Sequence, residues 1–334
     1  MEKGKRELDS LTRKGIGDGS RLVAEWGGWG LGGGEMNWVV VLVMLGALGV
    51  PVFVVPGERE RVEALGEVSG MSGEWRRALG DGGGDFAPVP APGEGDWLGE
   101  RQELGQTFED FLRSPRNVLV PRRRTVYLLP LGTGEDLDDA GIVLSRFLRL
   151  RVKVLAPVSL EELGAPWRAV PGGVRQFKVE GVADALRRHV PADALGLIAV
   201  TGADLYRHGP GSFTYGYSRP LGRVAVVGLH RFADADEVVE RRRFLATLIH
   251  EGAHLLGIRH CIYYACLMNG SMGVAESDRR PLHLCPVCLR KLGVCVRFSP
   301  VRRYRDLEVS FRKRGLEEEA EWVGRRLARL AAPE

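Results

Sequence analysis

The amino-acid sequence predicts a mixed α/β fold of the α+β kind, built on a twisted and mostly parallel sheet, and three observations predict it. Short apolar runs alternate with segments of helical period, a pattern that calls for right-handed crossovers and parallel strand pairing. Residues 212–218 instead alternate aromatic with small side chains, as an antiparallel edge strand does. A long segment of helical period, about 235–256, then carries a dense set of ionisable groups.

The elements follow in order. Residues 1–104 read as an N-terminal extension, largely disordered. Its first 35 residues are charged and glycine-rich, residues 38–55 are uncharged and mostly apolar, and residues 81–97 have the Gly and Pro content of a linker. The 38–55 run is long enough to suggest a single-pass membrane anchor, although Gly46, Gly49 and Pro51 weaken it. The alternatives are translation from Met44 or a segment packed on the domain.

The domain proper runs from 105 to 334. Arg124–Leu129 and Val152–Leu155 are short strands around a helix that turns Ile142, Leu144, Phe147 and Leu148 inward. The Arg122, Arg123 and Arg124 run is a solvated approach to the first strand. Val179–His189 is a second helix, Leu195–Val200 a buried strand, and the apolar Arg223–Leu229 a central one. Asp234 is placed to cap the long helix, with Glu237 at the capping-box position and Val238, Phe244, Leu245 and Leu248 on its apolar side. Residues 257–334 form a C-terminal subdomain with a helix over Leu289–Val294 and one charged amphipathic helix over Leu307–Leu330. His283 reads as a surface histidine.

Composition narrows the function. The net charge of +4, from 47 basic against 43 acidic side chains, calls for no nucleic-acid partner. Five cysteines form no disulfide framework, which points to an intracellular protein, cytoplasmic or nuclear.

The chemistry lies in the run from His250 to His260. His250 and His254 are four apart, so on a helix they stand one turn above each other and can hold one ion. Glu251 sits beside that ion, where a carboxylate serves as general base toward a metal-activated water. Gly257 can take positive φ, stop the helix and return the chain, so that His260 becomes the third ligand. Three ligands leave a fourth position open, which marks a catalytic zinc. This is the extended metzincin pattern. Cys261, Cys266, Cys285 and Cys288 form two pairs whose spacing reads as a closed, structural zinc site, with buried thiols or a disulfide as the alternative. Adjacent His260 and Cys261 would then face opposite ways and tie the two metals together, giving two zinc ions per chain. Cys295 is left over as a buried thiol.

The motif and its continuation, with Cys261 directly after His260, then Cys266, Met268 and the distal Cys285-Pro286-Val287-Cys288, resemble the archaemetzincin family of zinc metallopeptidases. The resemblance covers roughly 106–330 and extends to the segments Thr201–Tyr206 and Ser212–Gly216; the loop between Met268 and the second cysteine pair is about one residue shorter than the family's, a change a loop absorbs. It implies a zincin-like metzincin catalytic domain. It implies Met268 as the Met-turn residue under the three histidines, with Met272 as a second candidate, and an edge strand that lines the cleft and pairs with a peptide substrate. Asn269-Gly270-Ser271, a glycosylation sequon by pattern, reads as a turn beside the site.

The expectation is therefore a monomeric zinc metallopeptidase acting on peptide or protein substrates. Tyr263 and Tyr264 are the candidates for stabilising an oxyanion, with packing as the plain alternative. Two other functions stay open: a zinc-stabilised peptide-binding scaffold, which has no need of Glu251, and a nucleic-acid binder using Arg290, Lys291, Arg302 and Arg303 beside the cysteines.

Overall fold

The computed structural model describes residues 53–331 apart from 82, 133 and 135. Residues 1–52, and with them nearly all of the apolar 38–55 run, lie outside the described residues. Among those described, no helix is long and apolar enough to cross a membrane.

Among the described residues, eight strands form two sheets: β1 (Thr125–Pro130), β2 (Arg151–Val154), β3 (Trp167–Ala169), β4 (Arg175–Lys178), β5 (Ala194–Thr201), β6 (Asp204–Tyr206), β7 (Gly216–Arg219) and β8 (Val224–Gly228). The main sheet has the order β2-β1-β5-β8-β7. Its first four strands run parallel, and β7 closes the edge antiparallel to β8, with Tyr217 opposite Val226. The antiparallel edge strand is thus present, but it covers only Gly216–Arg219 of the expected 212–218. A smaller sheet, β3-β4-β6, stands beside it.

The inner parallel strands β1, β5 and β8 are largely apolar because both faces are buried, whereas Arg151 and Lys153 of the edge strand β2 are exposed. Val126 and Leu128 of β1, Ile198 and Val200 of β5, and Ala225 and Val227 of β8 face the larger core. Their alternates Tyr127, Leu129, Leu197, Ala199, Val224 and Val226 face a second core with Val182 and Leu186 of the helix Val179–Leu186. The larger core is closed by the helices Asp138–Leu148 and Glu237–Leu255, which contribute Leu144, Leu148, Leu248 and Ile249. Ile142 does not join them. It is 44% exposed, because Val143, one helical step on, takes the inward position.

The long helix begins later than expected. Its cap is Asp236, whose side chain accepts the Val238 N–H at 2.8 Å. Asp234 instead pairs with Arg243 at 2.9 Å. The expected single helix over 307–330 is two, Pro300–Arg312 and Glu317–Ala331. Gly315 takes φ +71° between them, and the chain folds back so that Leu307 and Phe311 of one, and Ala320, Val323 and Leu330 of the other, reach the same core. Arg122, Arg123 and Arg124 are exposed, as expected.

The part of the extension that is described is folded. Ala64 and Ala78 of the helices Glu58–Leu65 and Gly73–Leu79, together with Leu79, belong to the larger core. The 81–97 segment is no linker, since Phe86 and Val89 are buried and Pro88 forms a β-bridge with Tyr264. The expected boundary at 104/105 therefore falls inside one packed body. His283 is likewise not at the surface. Its ring stacks on Trp322 at 3.7 Å and 8°, and burial pushes its pKa down to about 3.

Asp85 shows what holds this segment down. Its carboxylate meets Arg326 at 2.7 Å, the two side chains being 7% and 1% exposed. Arg326 also donates to the carbonyls of Arg77, Ala78 and Gly80. Asp85→Ala would leave a buried guanidinium without its counter-charge, a loss of about 3–5 kcal/mol. Urea unfolding of wild type and variant checks this, and a difference under about 1 kcal/mol would mean that the carbonyls suffice.

Candidate metal centre and active site

The helix Glu237–Leu255 presents His250 and His254 one turn apart, with ring centroids 4.5 Å apart and planes at 89°. The chain leaves the helix at Leu256 and turns at Gly257, where φ is +83°. The turn brings the His260 ring to 5.3 Å from His250 and 5.1 Å from His254. One ligand atom from each of the three lies within 4.8 Å of the others. The spacing of the three histidines therefore does bring them together.

Their orientation fits a metal as well. Each Nδ1 faces an acceptor: Leu267 O at 2.9 Å for His250, Ile258 O at 2.6 Å for His254, and Glu103 Oε1 at 2.6 Å for His260. An acceptor at Nδ1 places the proton there and leaves the Nε2 lone pair to face an ion. Burial holds both helix histidines neutral, His250 well below the usual range and His254 down to about 3. Neutral imidazole is the ligating form.

Glu251 points from the same helix into an open cleft of about 770 Å³, whose floor is formed by the three histidines. It is 6% exposed, and burial raises its pKa to about 7 against the lowering effect of the Ser218 hydroxyl. Ser218 Oγ lies 2.6 Å from Glu251 Oε2. β7 crosses so close over Glu251 that a Cβ at Gly216 would stand 2.5 Å from Oε1. Gly216, Tyr217 and Ser218 line the cleft along the free edge of the main sheet. Tyr263 and Tyr264 do not line it. Tyr263 is 7% exposed and its carbonyl accepts the Val89 N–H, while Tyr264 sits edge-on to Phe86. Both are held in packing by the 81–97 segment, and the cleft is lined by Arg207, Arg280 and Tyr217 instead.

The second cluster lies immediately beyond. One sulfur from each of Cys261, Cys266, Cys285 and Cys288 lies within 4.8 Å of the others, all buried, and no disulfide links them. The backbone N–H groups of Met268 and Cys285 both point at Cys266 Sγ at 3.4 Å, and the neighbouring thiols hold Cys261 well below the usual thiol range. Four converging sulfurs, one of them facing two backbone donors, fit a closed tetrahedral site. Cys295 stays outside the cluster, with burial pushing its thiol up to about 11.

Asn269 builds the loop between the clusters. Its amide donates to Cys261 O at 2.7 Å and Tyr264 O at 2.9 Å, and its Oδ1 accepts the Cys266 N–H at 2.7 Å. The sequon is a buried turn, as its position implied. Met268 is fully buried and follows Leu267, the residue that orients His250, whereas Met272 is 38% exposed. Glu103, Ser218 and Gly216 escape a reading of the sequence. They meet the motif only through the fold and carry no spacing signal of their own.

The model of peptidase family M54 matches residues 153–293. Archaemetzincin-2 of Macaca fascicularis is 29% identical over 267 residues, covering 66% of this chain and 73% of that protein. Archaemetzincin-1 of Homo sapiens is 31% identical over 255 residues, 64% of this chain and 51% of that one. Among solved structures, the archaemetzincin of Methanopyrus kandleri is 28% identical with a TM-score of 0.44, covering 53% of this chain and 97% of that one. The matched sequence contains both candidate metal clusters, and over that stretch the chain is similar to the archaemetzincins.

Proposed function

We propose that this chain is a zinc metallopeptidase that hydrolyses peptide bonds, with His250, His254 and His260 as ligands of the catalytic zinc and Glu251 as general base. The observation that carries the proposal is the buried Glu251 carboxylate beside three converging imidazoles at the floor of an open cleft. Zinc held there supplies Lewis acidity toward the scissile carbonyl and lowers the pKa of water in its reach. Glu251 accepts the proton of the attacking water as the carbon–oxygen bond forms. It then delivers that proton to the departing amine as the carbon–nitrogen bond breaks. Ser218 donates to one oxygen of that carboxylate.

The free edge of β7 supports a binding mode in which an extended peptide adds as a further strand above the metal. Four buried thiols support a second, structural zinc, and Met268 serves as the packed base of the turn that orients His250. We place the protein inside the cell, cytoplasmic or nuclear, because unpaired thiols need a reducing compartment. It acts as a monomer, both clusters being complete within one chain.

The nucleic-acid reading has little support from the same basic residues. Arg290 caps the Leu65 carbonyl and lies over the Phe108 ring, Lys291 and Arg303 are each 1% exposed, and Arg302 is left facing solvent. A non-catalytic scaffold would not need a glycine opposite Glu251.

Glu251→Ala removes the base and keeps all three imidazoles. Peptide hydrolysis should fall by about 10²–10⁴ with zinc content and melting temperature unchanged. Equal activity in the two proteins, at equal zinc content, would sink the proposal. Gly216→Ala acts on the same group from the strand side. Its Cβ must displace the Glu251 carboxylate, so kcat should drop by at least about tenfold while zinc stays bound, and a variant as fast as wild type would show that β7 can yield. Metal analysis should find two zinc ions per chain, one of them removed by mild chelation and the other retained by thiolates. His260→Ala should lose the labile ion alone; one zinc per untreated wild-type chain contradicts the two-site reading.

A further inference from the structure

A second carboxylate reaches the histidine cluster from a segment that no motif marks. Glu103 lies between the short helices Trp97–Glu100 and Phe108–Arg113, upstream of the residues matched by the family model. Its Oε1 is 2.6 Å from His260 Nδ1, and Trp97 Nε1 donates to the same oxygen at 2.6 Å. His250 and His254 are oriented by carbonyls within 17 and 4 residues of themselves. His260 sits beyond the helix on a turn, and its Nδ1 acceptor is 157 residues away.

We propose that Glu103 is the positioning residue for His260, an inference that rests on the zinc reading above. A carboxylate facing Nδ1 fixes the proton on that nitrogen and leaves Nε2 as the ligand atom. Its charge also strengthens the imidazole as a donor to an ion. A histidine on a turn needs such a tether more than its partners do, because no helix restrains its ring.

The segment is itself held on both sides of Glu103. Upstream, the Trp97 ring meets the His260 ring edge-on at 5.0 Å and 88°. The indole lies flush on the loop after Asn269, where a Cβ at Gly270 would stand 2.5 Å from it. Trp97 N donates to Glu276 Oε1 at 2.9 Å, and Asp96 pairs with Arg279 at 2.6 Å. Downstream, Gln106 donates to Gly257 O at 3.2 Å and accepts the Arg259 N–H at 3.1 Å, so it grips the turn that delivers His260. Buried Lys291 fixes Gln106 in turn. Glu103 is therefore presented by a clasp whose two ends both bear on the metal loop.

The test is zinc affinity of the labile site, read by competition with a chromophoric chelator on the full chain, for wild type, Glu103→Ala, Glu103→Gln and Trp97→Phe. Glu103→Ala should weaken that site by about 10–100-fold and leave the thiolate zinc in place. Glu103→Gln, whose amide oxygen still accepts the Nδ1 proton, should recover part of the loss, and Trp97→Phe should fall between wild type and Glu103→Ala. Cobalt substituted into the labile site should show altered visible bands in Glu103→Ala, a change that a merely structural contact would not produce. Affinity within about twofold of wild type in Glu103→Ala, or loss of both metals together, would overturn the assignment. A wild-type chain with no chelatable zinc would instead overturn the metal reading on which it rests.

Discussion

His260 and Cys261 are consecutive residues with side chains in different clusters, and most of the site depends on the path the backbone takes through that one peptide unit. Adjacent side chains in an extended segment point to opposite sides, so one turn can supply an imidazole to an open site and a thiol to a closed one. The path is fixed at both ends. Gly257 at φ +83° sets where the chain leaves the helix, and Asn269 ties the carbonyls of Cys261 and Tyr264 to the Cys266 N–H. Rigidity of the thiolate cluster is passed to His260 through a single bond. A closed site that performs no chemistry of its own can in this way determine the geometry of one that does.

Glu251 is governed by a different balance. Burial on a helix wedged between a sheet and a neighbouring helix raises its proton affinity, and a single hydroxyl from Ser218 counteracts that rise. A residue that must take a proton and give it up gains from such a compromise, since a carboxylate solvated as in water binds protons too weakly to do both near neutral pH. The glycine opposite it makes room for this arrangement, and the edge position of β7 keeps the same region open to solvent on one side.

The two candidate metal clusters were legible in the sequence because coordination chemistry restricts residue type and because helix period and a glycine turn restrict spacing. The parallel strands were legible because both of their faces are buried. What was missed falls into physical classes. Glu103 and Ser218 act across 157 and 33 residues, distances at which the chain leaves no periodic trace. Strands β3 and β4 are short and rich in half-exposed polar residues such as Arg168 and Arg175, so no alternation marks them. The 81–97 segment has the composition of a linker, and what anchors it, Phe86, Val89 and the Asp85–Arg326 pair, leaves no periodic pattern. Asp234 was the expected cap of the long helix, but it pairs with Arg243, and Asp236 caps the helix instead.

The Asp85–Arg326 contact joins positions 241 residues apart, near the two ends of the described chain. Closing so long a loop comes late, since its entropic cost precedes its reward. Glu103 lies between Asp85 and His260 in sequence, so the stretch that carries it is anchored at one end to the helix Glu317–Ala331 and at the other to the histidine loop. The four-cysteine cluster spans only Cys261 to Cys288, so closing it costs less chain entropy than closing that contact.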